Sequence, residues 1–109
     1  MATPRLKKAE ALQQVSHRAQ EAAGTLKAMA SETRLMILCA LSDAERPVNQ
    51  LAELTGQSQS AVSQHLAKLR AAGLVDSRRD GQTIYYNCRP GIGHLLIDTL
   101  CGFYGRSGH

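Results

Sequence analysis

The chain has 109 residues, enough for one domain with a small hydrophobic core that would gain from a partner subunit. Its 13 Lys and Arg against 9 Asp and Glu give a formal net charge of +4, suited to a polyanionic partner, and Arg70, Arg78, Arg79 and Arg89 gather in the second half. No stretch approaches the roughly 20 consecutive apolar residues of a membrane span, the opening MATPRLKKAEALQQ lacks the apolar segment of a secretion signal, and Cys39, Cys88 and Cys101 are an odd set without a C-x-x-C pair, which argues against a zinc ribbon or a disulfide-stapled secreted scaffold. A cytoplasmic protein with residues 1–109 forming a single domain is the expectation.

Leu6, Ala9, Leu12, Val15, Ala19 and Ala22 recur every three or four residues up to Gly24, which predicts a first amphipathic helix with one apolar stripe to bury. The LKAMA segment after it reads as a turn. Ser31, Glu32 and Thr33 then open a second helix whose Leu35, Met36, Ile37, Leu38, Ala40 and Leu41 are almost continuously apolar up to Ser42-Asp43, so it belongs at the centre of the fold. Pro47 opens a third, short helix with Val48, Leu51, Ala52 and Leu54 inward, and Gly56 is its natural stop.

Ser58 is an N-cap for a fourth helix, in which Ala61, Val62, Leu66 and Leu69 face inward and Gln59, Ser60, Ser63, Gln64 and His65 face away. This helix ends at Ala71-Ala72-Gly73. Two strands, Leu74 to Arg79 and Thr83 to Asn87, flank Asp80-Gly81, a dipeptide suited to a tight hairpin turn. Pro90 starts a last helix with Ile92, Leu96, Leu100 and Phe103 in one stripe, extended by Leu95, before a Gly-rich tail. The order α-α-α-α-β-β-α is that of a mainly α (α+β) winged helix-turn-helix, and the first and last helices offer apolar faces for a homodimer.

A helix exposing Gln, Ser and His at its start carries donors and acceptors suited to base edges in a major groove. Gln59, Ser60, Ser63, Gln64 and His65 are therefore the base-edge candidates, while Lys68 and the hairpin's Arg78, Arg79 and Gln82 would hold phosphates or probe the minor groove. The partner implied is double-stranded operator DNA. Ser63 and His65 lie two apart on a helix with no acidic residue placed to orient the imidazole, so the chain does not read as an enzyme, and no cofactor is expected.

LKAMASETRLMILCAL, followed by QLAELTGQSQSAVSQHLAKLRAAGLV and DGQTIYY, resembles the ArsR/SmtB family of dimeric winged-helix repressors over most of residues 25–87. ILCAL, with Cys39 in the second helix, resembles the SqrR/BigR/HlyU branch of that family, which senses reactive sulfur species or oxidants through two cysteines. The resemblance implies a repressor that leaves its operator when Cys39 and Cys101 react with such an inducer. In that branch the second cysteine usually follows a Leu-Tyr or Val-Tyr pair near the end of the last helix. Here the pair corresponds to Phe103-Tyr104, the next residue is Gly105, and the nearby cysteine is Cys101, about one helical turn or roughly 5.4 Å earlier. A disulfide needs Cα atoms about 4.4 to 6.8 Å apart, so a one-turn shift puts a direct bridge in question, whereas a polysulfide link spans more. Cys39 among Ile37, Leu38, Ala40 and Leu41 also fits a small core filler, and Cys88 has no apparent partner.

The metal-sensing branches of the family are matched less well. VNQLAEL has no cysteine, the last helix lacks an Asp-x-His start, and what remains is His94 and Asp98 at i, i+4 with the distant His109, short of the three or four ligands zinc takes. No metal site is assigned. A metal- or arsenite-responsive repressor stays the alternative within DNA binding, and a winged-helix protein-interaction module without DNA binding is the alternative outside it.

Overall fold

Helix α3 (Glu32–Leu41) runs through the middle of the molecule, and the elements that follow it in the chain pack around it. The structure, a computed structural model, describes the backbone of residues 4–106 and the side chains of residues 8–105. The side chain of Leu6, and the end of the chain with His109, lie outside the described residues. Ser31 caps α3 as its sequence position predicts: its hydroxyl accepts from the Arg34 N–H at 3.3 Å, and Ile37, Leu38 and Leu41 are buried.

The N-terminal stripe is two helices rather than one, α1 (Pro4–His17) and α2 (Ala19–Met29), broken at Arg18 with φ −120° and ψ 15°. The LKAMA segment, expected as a turn, is helical through Met29. Gly24 does not stop the helix, since an interior glycine costs only about 1 kcal/mol relative to alanine, and carrying the helix on places Met29 in the core at 3% exposure.

A second departure is β1 (Arg46–Pro47), a two-residue strand absent from the sequence reading. Pro47, expected to be the first helical residue, is extended at φ −82° and ψ 166° and precedes α4 (Val48–Thr55) as its N-cap. A proline fits at the edge of a sheet, where no N–H is needed outward. Arg46 donates from Nε to the Ala40 carbonyl at 2.7 Å, satisfying an open acceptor near the C-terminus of α3. Within α4, Leu51 and Ala52 are buried while Leu54, expected inward, is 54% exposed, because Leu51 and Thr55 take the inward positions. Gly56 ends α4 in the left-handed region at φ 69°, as its position before the next cap predicts.

Helix α5 (Gln59–Ala71) follows at once, its N-cap Ser58 accepting from the Ala61 N–H at 3.1 Å, and Val62, Leu66 and Leu69 are buried. Strands β2 (Val75–Asp80) and β3 (Thr83–Cys88) form the hairpin, Asp80 pairing with Thr83, so the turn is Gly81-Gln82 rather than Asp80-Gly81. Only Gly81 there needs a positive φ, 65°. The antiparallel sheet has the order β1-β3-β2.

Helix α6 (Ile92–Arg106) closes the fold. It can lie close because Gly93 has no Cβ, which would run into the Leu74 side chain. Ile97, outside the predicted stripe, is the α6 residue that enters the core, at 1% exposure, whereas Ile92, Leu95, Leu100 and Phe103 stay exposed. Cys88 is a core residue, its thiol directed to the Leu38 carbonyl at 3.7 Å. Among the described residues no helix is long and apolar enough to cross a membrane.

Two substitutions test this division of inner and outer leucines. Leu69 is fully buried, so Leu69→Ala should lower unfolding stability by about 2 to 5 kcal/mol in a urea titration. The exposed Leu54→Ala should change it by less than about 1 kcal/mol. Equal effects would place one of them wrongly.

Candidate nucleic-acid interface

The cap at Ser58 sets where α5 begins, and burial of Val62, Leu66 and Leu69 sets which way it faces. Gln59, Ser60, Ser63 and Gln64 are consequently exposed, and among the described residues none of these side chains is hydrogen-bonded to the protein. Lys68 lies on the same helix, also exposed. An uncommitted row of amide and hydroxyl groups is the arrangement that base-edge recognition requires.

His65, placed in that row by sequence, is held differently. It is half-buried, and its Nδ1 accepts a hydrogen bond from Arg34 Nε at 3.1 Å, while Arg34 Nη1 donates to the Ala28 carbonyl at 3.1 Å. An accepting Nδ1 puts the proton of the neutral ring on Nε2, leaving that edge as its one donor. Partial burial lowers the His65 pKa, and the nearby Arg34 and Lys68 charges lower it further.

The wing places its two arginines in different circumstances. Arg78 is turned onto the protein: its guanidinium pairs with the Glu45 carboxylate, Nε donating to Oε2 at 2.9 Å, and its Cζ lies 4.9 Å from the Tyr85 ring centroid. Asp80 is 3.9 Å away. The hydrogen bond from Arg78 holds the Glu45 carboxyl below its usual range. Arg79, paired across the strands with Ile84, is exposed and has no ion pair among the described residues, and Gln82 stands in the turn. Arg34 and Glu45 were not singled out in the sequence, because their partners lie 31 and 33 residues away and no local pattern marks them.

Behind this face Cys39 of α3 and Cys101 of α6 are joined by a disulfide with Cα atoms 6.1 Å apart. With Cys101 one turn before Gly105, that Cα separation lies within the range of about 4.4 to 6.8 Å that a disulfide spans. Beside it is an open cleft of about 370 Å³ lined by apolar side chains, among them Leu35, Met36, Leu100 and Tyr104. His94 Nε2 is 3.5 Å from Asp98 and 3.3 Å from the Ser42 carbonyl, and no group of three His, Cys, Asp or Glu among the described residues is arranged to hold a metal.

Residues 31–77 match the family model described as bacterial regulatory protein, arsR family. The chain is 49% identical over 93 residues to the transcriptional activator HlyU of Vibrio cholerae, covering 85% of this chain and 86% of that protein. Among solved structures, reduced HlyU from Vibrio cholerae superposes with a TM-score of 0.80 at 42% identity, covering 85% of this chain and 98% of the other. The transcriptional repressor BigR from Xylella fastidiosa superposes with a TM-score of 0.77 at 32% identity, covering 84% and 94%.

The environment of His65 has a consequence for stability. Because its pKa is depressed in the folded chain, the unfolded chain takes up the proton first as pH falls. The stabilisation is complete above the unfolded value near 6.5 and is lost as pH drops through the lower folded value. His65→Asn keeps an acceptor near the Nδ1 position and does not titrate. Its unfolding midpoint should fall less than that of the wild type between about pH 7 and about pH 5; parallel curves would show that His65 is not held neutral by the fold.

Proposed function

The chain belongs to the arsR family of bacterial regulatory proteins, in the branch that includes HlyU and BigR, and from that premise we propose that it is a homodimeric operator-binding repressor with a dithiol switch. Two copies of α5 enter successive major grooves about one DNA turn, or ~34 Å, apart. Gln59, Ser60, Ser63 and Gln64 meet base edges, with His65 offering its Nε2 edge. Lys68, Arg79 and Gln82 meet the backbone or the minor groove, and Arg78 joins them where a phosphate displaces Glu45. The uncommitted polar row on α5, together with an exposed Arg79 that has no ion pair among the described residues, is the observation that carries this reading.

The dimer forms through the apolar surface left over by the fold: Leu12 and Val15 of α1, Leu26 of α2, and Ile92, Leu95 and Phe103 of α6. Exposed residues of this size on helices at the ends of a small domain favour a second copy as their cover.

The signal is oxidation of Cys39 and Cys101 by a reactive sulfur species or peroxide, in which the two thiols lose two hydrogens to the oxidant and form the bridge between α3 and α6. Support comes from the 6.1 Å Cα separation and from the neighbour solved as reduced HlyU. Fastening α3 to the helix that carries the dimer surface biases the spacing of the reading helices, and a coupling of about 1 to 3 kcal/mol is enough to weaken DNA binding by roughly 5- to 150-fold.

Three outcomes are expected. Arg79→Ala should reduce the slope of log affinity against log salt by about 0.9 per subunit for any DNA sequence, as measured by gel shift; an unchanged slope would remove Arg79 from the phosphates. Gln64→Ala should instead relax the preference for the operator over random DNA. Cys39→Ser and Cys101→Ser should each bind DNA in reducing buffer and no longer release it with polysulfide or peroxide, and normal release by both variants would defeat the dithiol switch. Release by zinc or arsenite, reversed by chelator, would favour the metal-responsive reading instead.

A further inference from the structure

Besides apolar packing, one side-chain bond ties helix α3 to α6 and one ties it to α5. Toward its C-terminal half Cys39 is bonded to Cys101 on α6, and near its N-terminus Arg34 donates to His65 on α5. The two positions are five residues apart, about 7.5 Å along the helix axis. Arg34 also holds the Ala28 carbonyl near the end of α2, so one half-buried guanidinium spans three helices. The remaining α3–α5 interface consists of side chains such as Ile37, Leu38, Val62 and Leu66, all in one buried cluster. Apolar packing is non-directional, whereas a charge-assisted hydrogen bond out of full solvent fixes a distance and an angle.

His65 immediately follows Gln64, so whatever fixes the rotation of α5 at His65 also sets how the Gln64 row is presented. We infer that Arg34 is a positioning residue for DNA reading: burial of Val62, Leu66 and Leu69 decides which face of α5 is outward, and Arg34 through His65 fixes the finer rotation within that packing and passes displacement of α3 to it. The transmission half of this inference rests on the dithiol switch proposed above; the positioning half does not. Arg34 suits the role because its planar fork serves two acceptors at once, Nη1 on Ala28 and Nε on His65, which a lysine ammonium does not reproduce in that geometry. Its neighbour His65 takes part only as an acceptor, so the bond requires the neutral ring.

The test uses the full chain and two duplexes of equal length, one selected from a random pool by the reduced wild type and one scrambled. Arg34→Met keeps the stem and loses both donors. In the reduced state it should cut the ratio of selected to scrambled affinity by about tenfold while leaving the salt slope unchanged. After polysulfide treatment, with bridge formation followed by intact mass, the wild type should lose about 100-fold in affinity and Arg34→Met less than about tenfold at equal bridge content. His65→Leu and His65→Asn both lack the imidazole, so a lost base contact affects them alike, but only asparagine keeps an acceptor near Nδ1. His65→Asn should therefore retain discrimination and oxidative release better than His65→Leu, and the effects of Arg34→Met and His65→Leu should not add.

Wild-type discrimination and release in both Arg34→Met and His65→Leu would overturn the inference. Should Arg34→Met fail to fold, the asparagine–leucine comparison decides the same bond from its other end. If oxidation does not weaken the wild type at all, the dithiol switch falls, and the reduced-state discrimination ratio alone decides the positioning role.

Discussion

Burial of Ile37, Leu38 and Leu41 on one short helix is the constraint on which the rest of the structure depends. These side chains share one cluster with Leu51 of α4, Val62, Leu66 and Leu69 of α5, Val75 of β2 and Ile97 of α6. A domain of this size has little apolar surface to spare, so placing these residues inside fixes which side of α5 remains outside. The polar row on α5 is thus a by-product of core packing as much as of its own composition. The price is paid at α1, α2 and α6, which keep Leu12, Leu26, Ile92, Leu95 and Phe103 exposed.

Features governed by neighbours in sequence are legible in the sequence itself. Ser31 and Ser58 cap the helices they precede, Gly56 ends α4, and the hairpin folds about Gly81, because each depends on a few backbone angles and one nearby hydrogen bond. What was not legible is non-local. Strand β1 exists because Arg46 and Pro47 meet Tyr86 and Tyr85, and a two-residue strand has no periodicity to detect. The break at Arg18 and the helical run through Met29 reflect where Met29 packs, which no helical-wheel argument supplies. Leu54 shows the same limit from the other side: its apolar character suggested burial, and the angular competition with Leu51 and Thr55 denied it.

The wing shows why net charge is a blunt guide to a nucleic-acid surface. Arg78 and Arg79 are adjacent in sequence and equal in charge, yet alternation along β2 sends them to opposite faces of the hairpin. One meets Glu45 and Tyr85, and the other remains unpaired among the described residues. Arg78 thereby fastens the hairpin to the loop before β1, holding in place the strand from which Arg79 projects. An exposed ion pair of this kind contributes little to stability, typically about 0 to 1 kcal/mol. Its effect is on where the wing points.

The cysteine pair raises the opposite problem, since sequence register was informative there but incomplete. Register gives the height of Cys101 along α6, one turn short of Gly105, but not the height of α6 against α3. That height is set elsewhere, by Gly93 lying against Leu74 and by Ile97 entering the core. With those contacts in place the Cα atoms of Cys39 and Cys101 are 6.1 Å apart, within the range a disulfide spans. The same helix carries Ile92, Leu95 and Phe103 on its exposed side, so on the reading proposed here the dithiol acts on the element that two subunits share. In a two-fold dimer each displacement of α6 against α3 occurs twice about one axis, and the distance between the two reading helices changes by the sum. On the proposed reading, a small change at a partly buried bond in each subunit would thus act where DNA spacing is least forgiving.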